Sequence, residues 1–162
     1  MRVTVGDRLP DANLLKMGAN GPEAVSLAGK LAGRKVVLFG LPGAFTGMCS
    51  TAHMPSFVRN AKAFAEKGVD EIICVPVNDP FVLAAWGKDT GAEAAGIALL
   101  GDTDCSFTKA IGMAFSAPQI GLIDRAVRYS MLVEDGVVTI LNTENGPGVC
   151  DLTAGEALLA QL

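Results

Sequence analysis

No apolar run in this chain approaches the roughly 20 residues a bilayer-crossing helix needs; the longest, such as Lys35-Val36-Val37-Leu38-Phe39, fall far short. No membrane span and no membrane partner are expected. The N-terminal stretch Met1-Arg2-Val3-Thr4-Val5-Gly6-Asp7 lacks an apolar signal core, and its early acidic residues do not suit a transit peptide. The expected location is the cytoplasm, or an organelle if a presequence has been removed. Clustered positive charge is missing too. With a formal net charge of −4 and scattered lysines and arginines, the chain has no surface built to displace counterions from nucleic acid.

Cysteine pairs are also absent at any informative spacing. Cys49, Cys74, Cys105 and Cys150 are separated by 25, 31 and 45 residues, so neither a zinc knuckle nor a CxxC dithiol is available. No metal and no other cofactor are expected, and the cysteines read as reduced thiols of an intracellular compartment. Charge is sparse: 19% of residues are charged and half are hydrophobic, which argues against disorder. Without low-complexity tracts, long linkers or repeats of solenoid period, the 162 residues read as one domain spanning 1–162, long enough to bury a core unaided.

What is present is an alternation of strand and helix signals. Residues 36–41 form a short apolar run that suits a buried strand. From Met54 the apolar positions Met54, Phe57, Ala61 and Phe64 recur at helical spacing, and Gly68 suits a C-terminal cap. Residues 71–77 read as a strand, Asn78-Asp79-Pro80 as a helix start, and 81–88 as the helix. A small strand at 98–100 precedes Gly101-Asp102-Thr103-Asp104, polar caps for a helix through about residue 111. Further on, 128–134 and 137–142 flank Asp135-Gly136, a tight hairpin signal. After a loop at 143–149, residues 152–162 read as a helix capped by Asp151 or Thr153. The order β-α-β then β-β-α, with inserted elements, predicts a thioredoxin-like α/β fold with a central mixed sheet flanked by helices.

One stretch carries chemistry: Pro42-Gly43-Ala44-Phe45-Thr46-Gly47-Met48-Cys49, where strand gives way to helix. With Thr46 as N-cap, Cys49 is the third helical residue, where unpaired backbone N–H groups and the helix dipole favour a thiolate. Thr46 can hold an oxygen substrate beside the sulfur, and Pro42, with no N–H, makes a wall that limits water. His53 lies one turn further along the same face. It reads as a packed, hydrogen-bonded side chain, since no third group is marked out to orient it as a base.

The stretch resembles the active-site signature of the peroxiredoxins in the form used by their type II, or Prx5, subfamily. Supporting segments are His53-Met54-Pro55, Val75-Pro76-Val77-Asn78-Asp79-Pro80-Phe81-Val82 with Ala85-Trp86-Gly87, Phe107-Thr108-Lys109-Ala110-Ile111-Gly112, and Arg128-Tyr129-Ser130-Met131. The resemblance implies a cysteine-based peroxidase that reduces hydrogen peroxide and organic hydroperoxides. Carried over by position, Cys49 is the peroxidatic nucleophile, Thr46 hydrogen-bonds the peroxide and Pro42 shields the sulfur. Arg128 stabilises the thiolate and polarises the peroxide, a role for which Arg125 competes on residue type alone.

One departure and one open choice follow from the same resemblance. Gly47 stands where the family commonly has proline, giving up a pre-set φ at the helix start. Cys150, after Gly146-Pro147-Gly148, matches the resolving cysteine of animal members, whereas Cys74 matches the second cysteine of plant members; an external thiol is the alternative to both. Cys105 has no counterpart. Implied partners are a hydroperoxide substrate, a thiol reductant (glutathione with glutaredoxin, or thioredoxin) and a second copy in a homodimer. A redox sensor of the same fold, signalling through Cys49 oxidation, is the alternative to an enzyme.

Overall fold

The computed structural model describes residues 2–144 and 148–162, with Cys49 described through its backbone alone. The strands predicted at 36–41 and 71–77 are β3, Lys35–Gly40, and β4, Glu71–Cys74, paired in parallel. β4 ends early because Val75 makes the last rung, donating to the Phe39 carbonyl at 2.9 Å, and Pro76 has no N–H to continue. β5, Ala98–Leu99, extends the parallel side. β8, Tyr129–Glu134, and β9, Val137–Thr143, add an antiparallel hairpin on the other side, giving the order β5-β4-β3-β8-β9. Asp135 and Gly136 turn that hairpin with φ of 49° and 79°, the left-handed pair that an Asp-Gly turn supplies. The mixed sheet expected from the sequence is therefore the observed one.

Helices cover both faces. On one, α2 (Met54–Glu66) and α3 (Pro80–Thr90) bury Phe57, Phe64, Leu83 and Trp86 against Val37, Phe39 and Leu132 of the sheet. On the other, α1 (Leu27–Leu31) and α4 (Ser106–Ala110) seal Leu27, Phe107 and Ile111 over Val36, Leu38 and Met131. Asp79 caps α3 through its carboxylate and Val82 N at 2.9 Å, with Pro80 at the first helical position as expected. The Asp102 carboxylate accepts from Phe107 N and Thr108 N at 3.1 and 2.7 Å, so the polar cluster before α4 does cap it.

Three elements differ from the sequence reading. Two hairpins were not expected: β1 (Asn13–Gly18) with β2 (Gly21–Ser26), and β6 (Ala114–Ala117) with β7 (Leu122–Ala126). The helix expected over 152–162 is only α5, Gly155–Leu159, with Ala154 and not Asp151 or Thr153 at its N-cap. The Glu144 carboxylate explains this by taking the N–H groups of Asp151, Leu152 and Thr153, which fixes those residues as a turn before the helix can start. The part of the expected 143–149 loop containing Gly146 and Pro147 lies outside the described residues.

Where β3 ends, Gly40 lets the chain pass under a ring. A Cβ there would stand 2.3 Å from Tyr129 Cε1, and Tyr129 is fully buried, so its ring has nowhere to swing. Gly40→Ala is expected to cost about 1–3 kcal/mol from overpacking, read as a lower midpoint in urea. An unchanged midpoint would mean that the Tyr129 ring is not held in this position.

Candidate active site

The loop after β3 descends through Pro42 into the helix carrying Cys49. Gly43 has φ of +151°, and a Cβ there would meet Arg125 Nη1 at 2.2 Å. The loop is held from two sides: Arg125 donates to the Pro42 carbonyl at 3.0 Å, and Ala44 N donates to Asn78 Oδ1 at 2.9 Å. Arg125 therefore fastens the half-buried Pro42.

Thr46 stands at the helix start, its carbonyl accepting from Ser50 N at 3.3 Å. Its hydroxyl donates to the Gly43 carbonyl at 2.7 Å, so the hydrogen is committed and the oxygen can act toward any other group only as an acceptor. From Cys49 to His53 the helix widens into a π turn before α2 begins. Pro55 supplies a physical reason. In a regular α-helix its ring would collide with the carbonyl of Thr51, and it has no N–H to offer that carbonyl. Such turns recur inside α-helices at functional sites. Trp86, the chain's one tryptophan, braces this one by donating from Nε1 to Ser50 Oγ at 2.9 Å.

Arg128 precedes β8 and is 8% exposed. Its Nη1 lies 3.1 Å from Nδ1 of the wholly buried His53, on the π turn itself. His53 Nε2 lies 3.0 Å from the Thr153 carbonyl. Since a carbonyl can only accept, Nε2 carries the proton and Nδ1 accepts from the guanidinium. Burial, reinforced by the adjacent Arg128 charge, pushes the imidazole down to about 3, which keeps it neutral. His53 is thus the packed, hydrogen-bonded side chain expected, and a poor base.

Cys150 is half-buried, with Sγ 3.9 Å from Thr153 Oγ1. Burial raises its thiol pKa, while the Thr153 hydroxyl and the positive field of Arg128 pull it back in part. Cys74 is fully buried in β4, between β3 and β5, and Cys105 is buried ahead of α4 with its thiol pKa raised by desolvation. The structure thus gathers Pro42, Thr46, the Cys49 turn and Arg128 at one end of the sheet, with the Cys150 segment tied in through His53. Asn78 and Trp86 stood in the supporting segments of the resemblance and Arg125 as the competitor of Arg128, but the bonds by which they brace this loop and turn had no signal in the sequence. Among the described residues no cluster of His, Cys, Asp or Glu could hold a metal, and no helix is long and apolar enough to cross a membrane.

A thioredoxin-like sheet with a cysteine at the start of a helix, an arginine beside that helix turn and a threonine ahead of it defines a class of thiol-based redox proteins. The Redoxin family profile matches residues 4–159. Rice (Oryza sativa subsp. japonica) Peroxiredoxin-2E-2, chloroplastic, is 44% identical over 162 residues, covering 98% of this chain and 72% of that protein. Reduced Prx3 from Vibrio vulnificus in complex with hydrogen peroxide superposes with a TM-score of 0.91 at 41% identity, covering 98% of both chains. Peroxiredoxin 5 from Alvinella pompejana gives 0.84 at 32% identity, covering 98% of this chain and 96% of its own. The chain belongs to the peroxiredoxins within the Redoxin family and is a thiol-dependent peroxidase.

Proposed function

We propose that the chain reduces hydrogen peroxide and organic hydroperoxides through Cys49, with Thr46, Pro42 and Arg128 shaping the first step and Cys150 closing the cycle. The observation that carries this reading is the Arg128 guanidinium held by His53 against the turn that begins at Cys49. An arginine stays charged at any working pH and presents several donors in one plane. Attack of the Cys49 thiolate on one peroxide oxygen forms an S–O bond and breaks O–O. The departing oxygen takes the negative charge and then a proton, so fixed donors aimed at it lower the barrier. The Thr46 oxygen accepts the peroxide's own hydrogen, and Pro42 keeps bulk water from the sulfur.

The product is a Cys49 sulfenic acid. Attack by the Cys150 sulfur forms the S–S bond and releases water, and an external dithiol, or glutathione with a glutaredoxin, then reduces the disulfide. Cys150 is favoured over Cys74 because it sits half-exposed beside a turn, whereas Cys74 is locked inside the sheet. We further assign the working form as a homodimer. Phe45, Phe81, Ile120 and Ile123 are each more than half exposed, and their segments adjoin the Pro42–Ala44 loop through Asn78 and Arg125, an apolar rim that a second copy suits. A compartment with reducing thiols, such as the cytoplasm, fits the cycle, and the rice relative named above is chloroplastic.

Intact-mass spectrometry with peptide mapping after one equivalent of hydrogen peroxide tests the assignment, on the native chain and on Cys150→Ser. The expected native product lacks two hydrogens and joins Cys49 to Cys150. In the variant, the expected product carries one added oxygen on Cys49. An added oxygen on Cys49 in both proteins would replace Cys150 by an external resolving thiol, and an unmodified Cys49 in both would end the assignment of the nucleophile.

A further inference from the structure

His53 is the one histidine of the chain, wholly buried, and the peroxidase chemistry above gives it no step. Its contacts nevertheless join two parts of the molecule with different tasks. Nδ1 accepts from Arg128 at 3.1 Å, and Nε2 donates to the Thr153 carbonyl at 3.0 Å. Because guanidinium only donates and a carbonyl only accepts, the two partners fix a single neutral tautomer, and neither can be exchanged for the other. The ring packs tilted against the stacked pair Phe39 and Phe57, with centroids 5.1 and 5.6 Å away, so its plane is set by packing as well as by hydrogen bonds.

Thr153 belongs to the segment that presents Cys150. Glu144 accepts from the backbone N–H groups of Asp151, Leu152 and Thr153 and from the Thr153 hydroxyl at 2.6 Å, so these residues move as one body. The same body is clamped to the Cys49 helix beyond His53. Ser56 Oγ donates to the His53 carbonyl at 2.6 Å and accepts from Gly155 N at 2.8 Å, and a Cβ on Gly155 would stand 2.4 Å from the Ser56 carbonyl oxygen. Two backbone groups of the Cys150 segment, Thr153 O and Gly155 N, thus rest on the turn and helix through which Arg128 is held.

We propose that His53 is a positioning residue that couples the two half-reactions: it aims the Arg128 guanidinium while the Cys150 segment is docked, and loosens that aim when the segment leaves to form the disulfide. This rests on the roles given above to Cys49, Arg128 and Cys150. The coupling gives the cycle an order. Arg128 is braced while Cys49 awaits peroxide and the segment is docked. Once Cys150 is drawn toward the oxidised sulfur, the Thr153 carbonyl no longer fixes the imidazole, and the arginine relaxes after its work on the peroxide is complete.

Two measurements test the proposal. The first is the single-turnover rate of Cys49 oxidation by hydrogen peroxide, in a Cys150→Ser background that isolates the first step. There His53→Leu, which fills the site but accepts nothing, is expected to slow oxidation about tenfold or more. His53→Gln, whose amide oxygen can accept from Arg128 and whose amide nitrogen can donate to Thr153, is expected to restore the rate to within about threefold. A folded His53→Leu at the parent rate, or a His53→Gln as slow as His53→Leu, would overturn the proposal. Arg128→Met in the same background separates the two levels. If Arg128→Met is slow while His53→Leu is not, the coupling alone fails; if Arg128→Met also reacts at the parent rate, the role of Arg128 fails and takes the coupling with it. The second measurement needs no variant. With ¹⁵N-histidine, the reduced native chain should show one neutral imidazole protonated at Nε2, and the Cys49–Cys150 disulfide form a shifted pair of ring signals. Identical signals in both forms would mean that the Thr153 anchor does not move, which would overturn the coupling.

Discussion

A Cys49→Ser chain is expected to turn over hydrogen peroxide at least about a thousandfold more slowly than the native one, since the residue removed is the nucleophile itself. A serine hydroxyl is scarcely ionised at neutral pH even at a helix start, and its oxygen is a far poorer attacker of an O–O bond than a thiolate sulfur. The frame around it would survive the change. Pro42 is tied to Arg125, Ala44 to Asn78 and Ser50 to Trp86, and none of these bonds involves the sulfur. The variant should therefore unfold near the native temperature, which separates lost chemistry from lost structure. Two buried cysteines, Cys74 and Cys105, provide the contrast. Cys74 lies inside β4 and Cys105 ahead of α4, both buried away from the turn, so Cys74→Ala and Cys105→Ala are expected to keep turnover with a thiol reductant within about twofold while losing some stability. Steady-state peroxide consumption by the three variants decides the matter. Turnover in Cys49→Ser, or its loss in Cys105→Ala, would put the nucleophile elsewhere.

The sequence was most legible where local chemistry and tertiary demand agree. Asp135-Gly136 must turn left-handed and does so; the apolar stripe Met54, Phe57, Phe64 faces the sheet, and Gly68 ends that helix region with φ of 85°. The two missed hairpins had no comparable signal. Much of β1 and β2 is only partly buried, and β6 and β7 meet with a register shift, so neither pair shows a clean two-residue alternation. The last helix was overread because Glu144, from outside the segment, binds its leading N–H groups. Such long-range capture cannot be seen in a periodicity.

The candidate site divides in the same way. Pro42, Thr46 and Cys49 share one short stretch and could be read together. Arg128 could be chosen over Arg125 only through the family motif, because the distinction lies in what each touches: Arg125 the Pro42 carbonyl, Arg128 the imidazole of His53. The π turn was hidden for a related reason. The effect of Pro55 on the Thr51 carbonyl arises only because the helix has already begun before it, at Gly47, a start that the apolar stripe from Met54 does not reveal.

Acid should destabilise this chain well before its carboxylates titrate, and His53 is the reason. In the unfolded chain the imidazole takes up a proton near pH 6.5, whereas in the folded chain burial and the Arg128 charge hold its pKa at about 3. A folded pKa below the unfolded one means that the unfolded state binds more protons between the two values. The stability contributed by neutral His53 is therefore complete above about pH 6.5 and is lost progressively as the pH falls toward 3, at up to about 1.4 kcal/mol per pH unit. Summed over that window the loss is about 4–5 kcal/mol, comparable to the whole stability of a marginal domain. Carboxylates held below their ordinary values act lower on the scale. Burial pushes Glu144 up, but the Thr153 hydroxyl and the backbone N–H groups it caps outweigh that, so its contribution is lost only below its ordinary value of 4.5. Between pH 7 and pH 5 the histidine is thus the main titrating contributor, and it is the only one of its kind in the chain. Urea unfolding at those two values should show the native chain losing about 2 kcal/mol, and His53→Gln, which keeps both hydrogen bonds but cannot be protonated, losing almost none. Equal losses in the two proteins would mean that His53 is already accessible to protons in the folded state, contrary to its seat between Arg128 and Thr153.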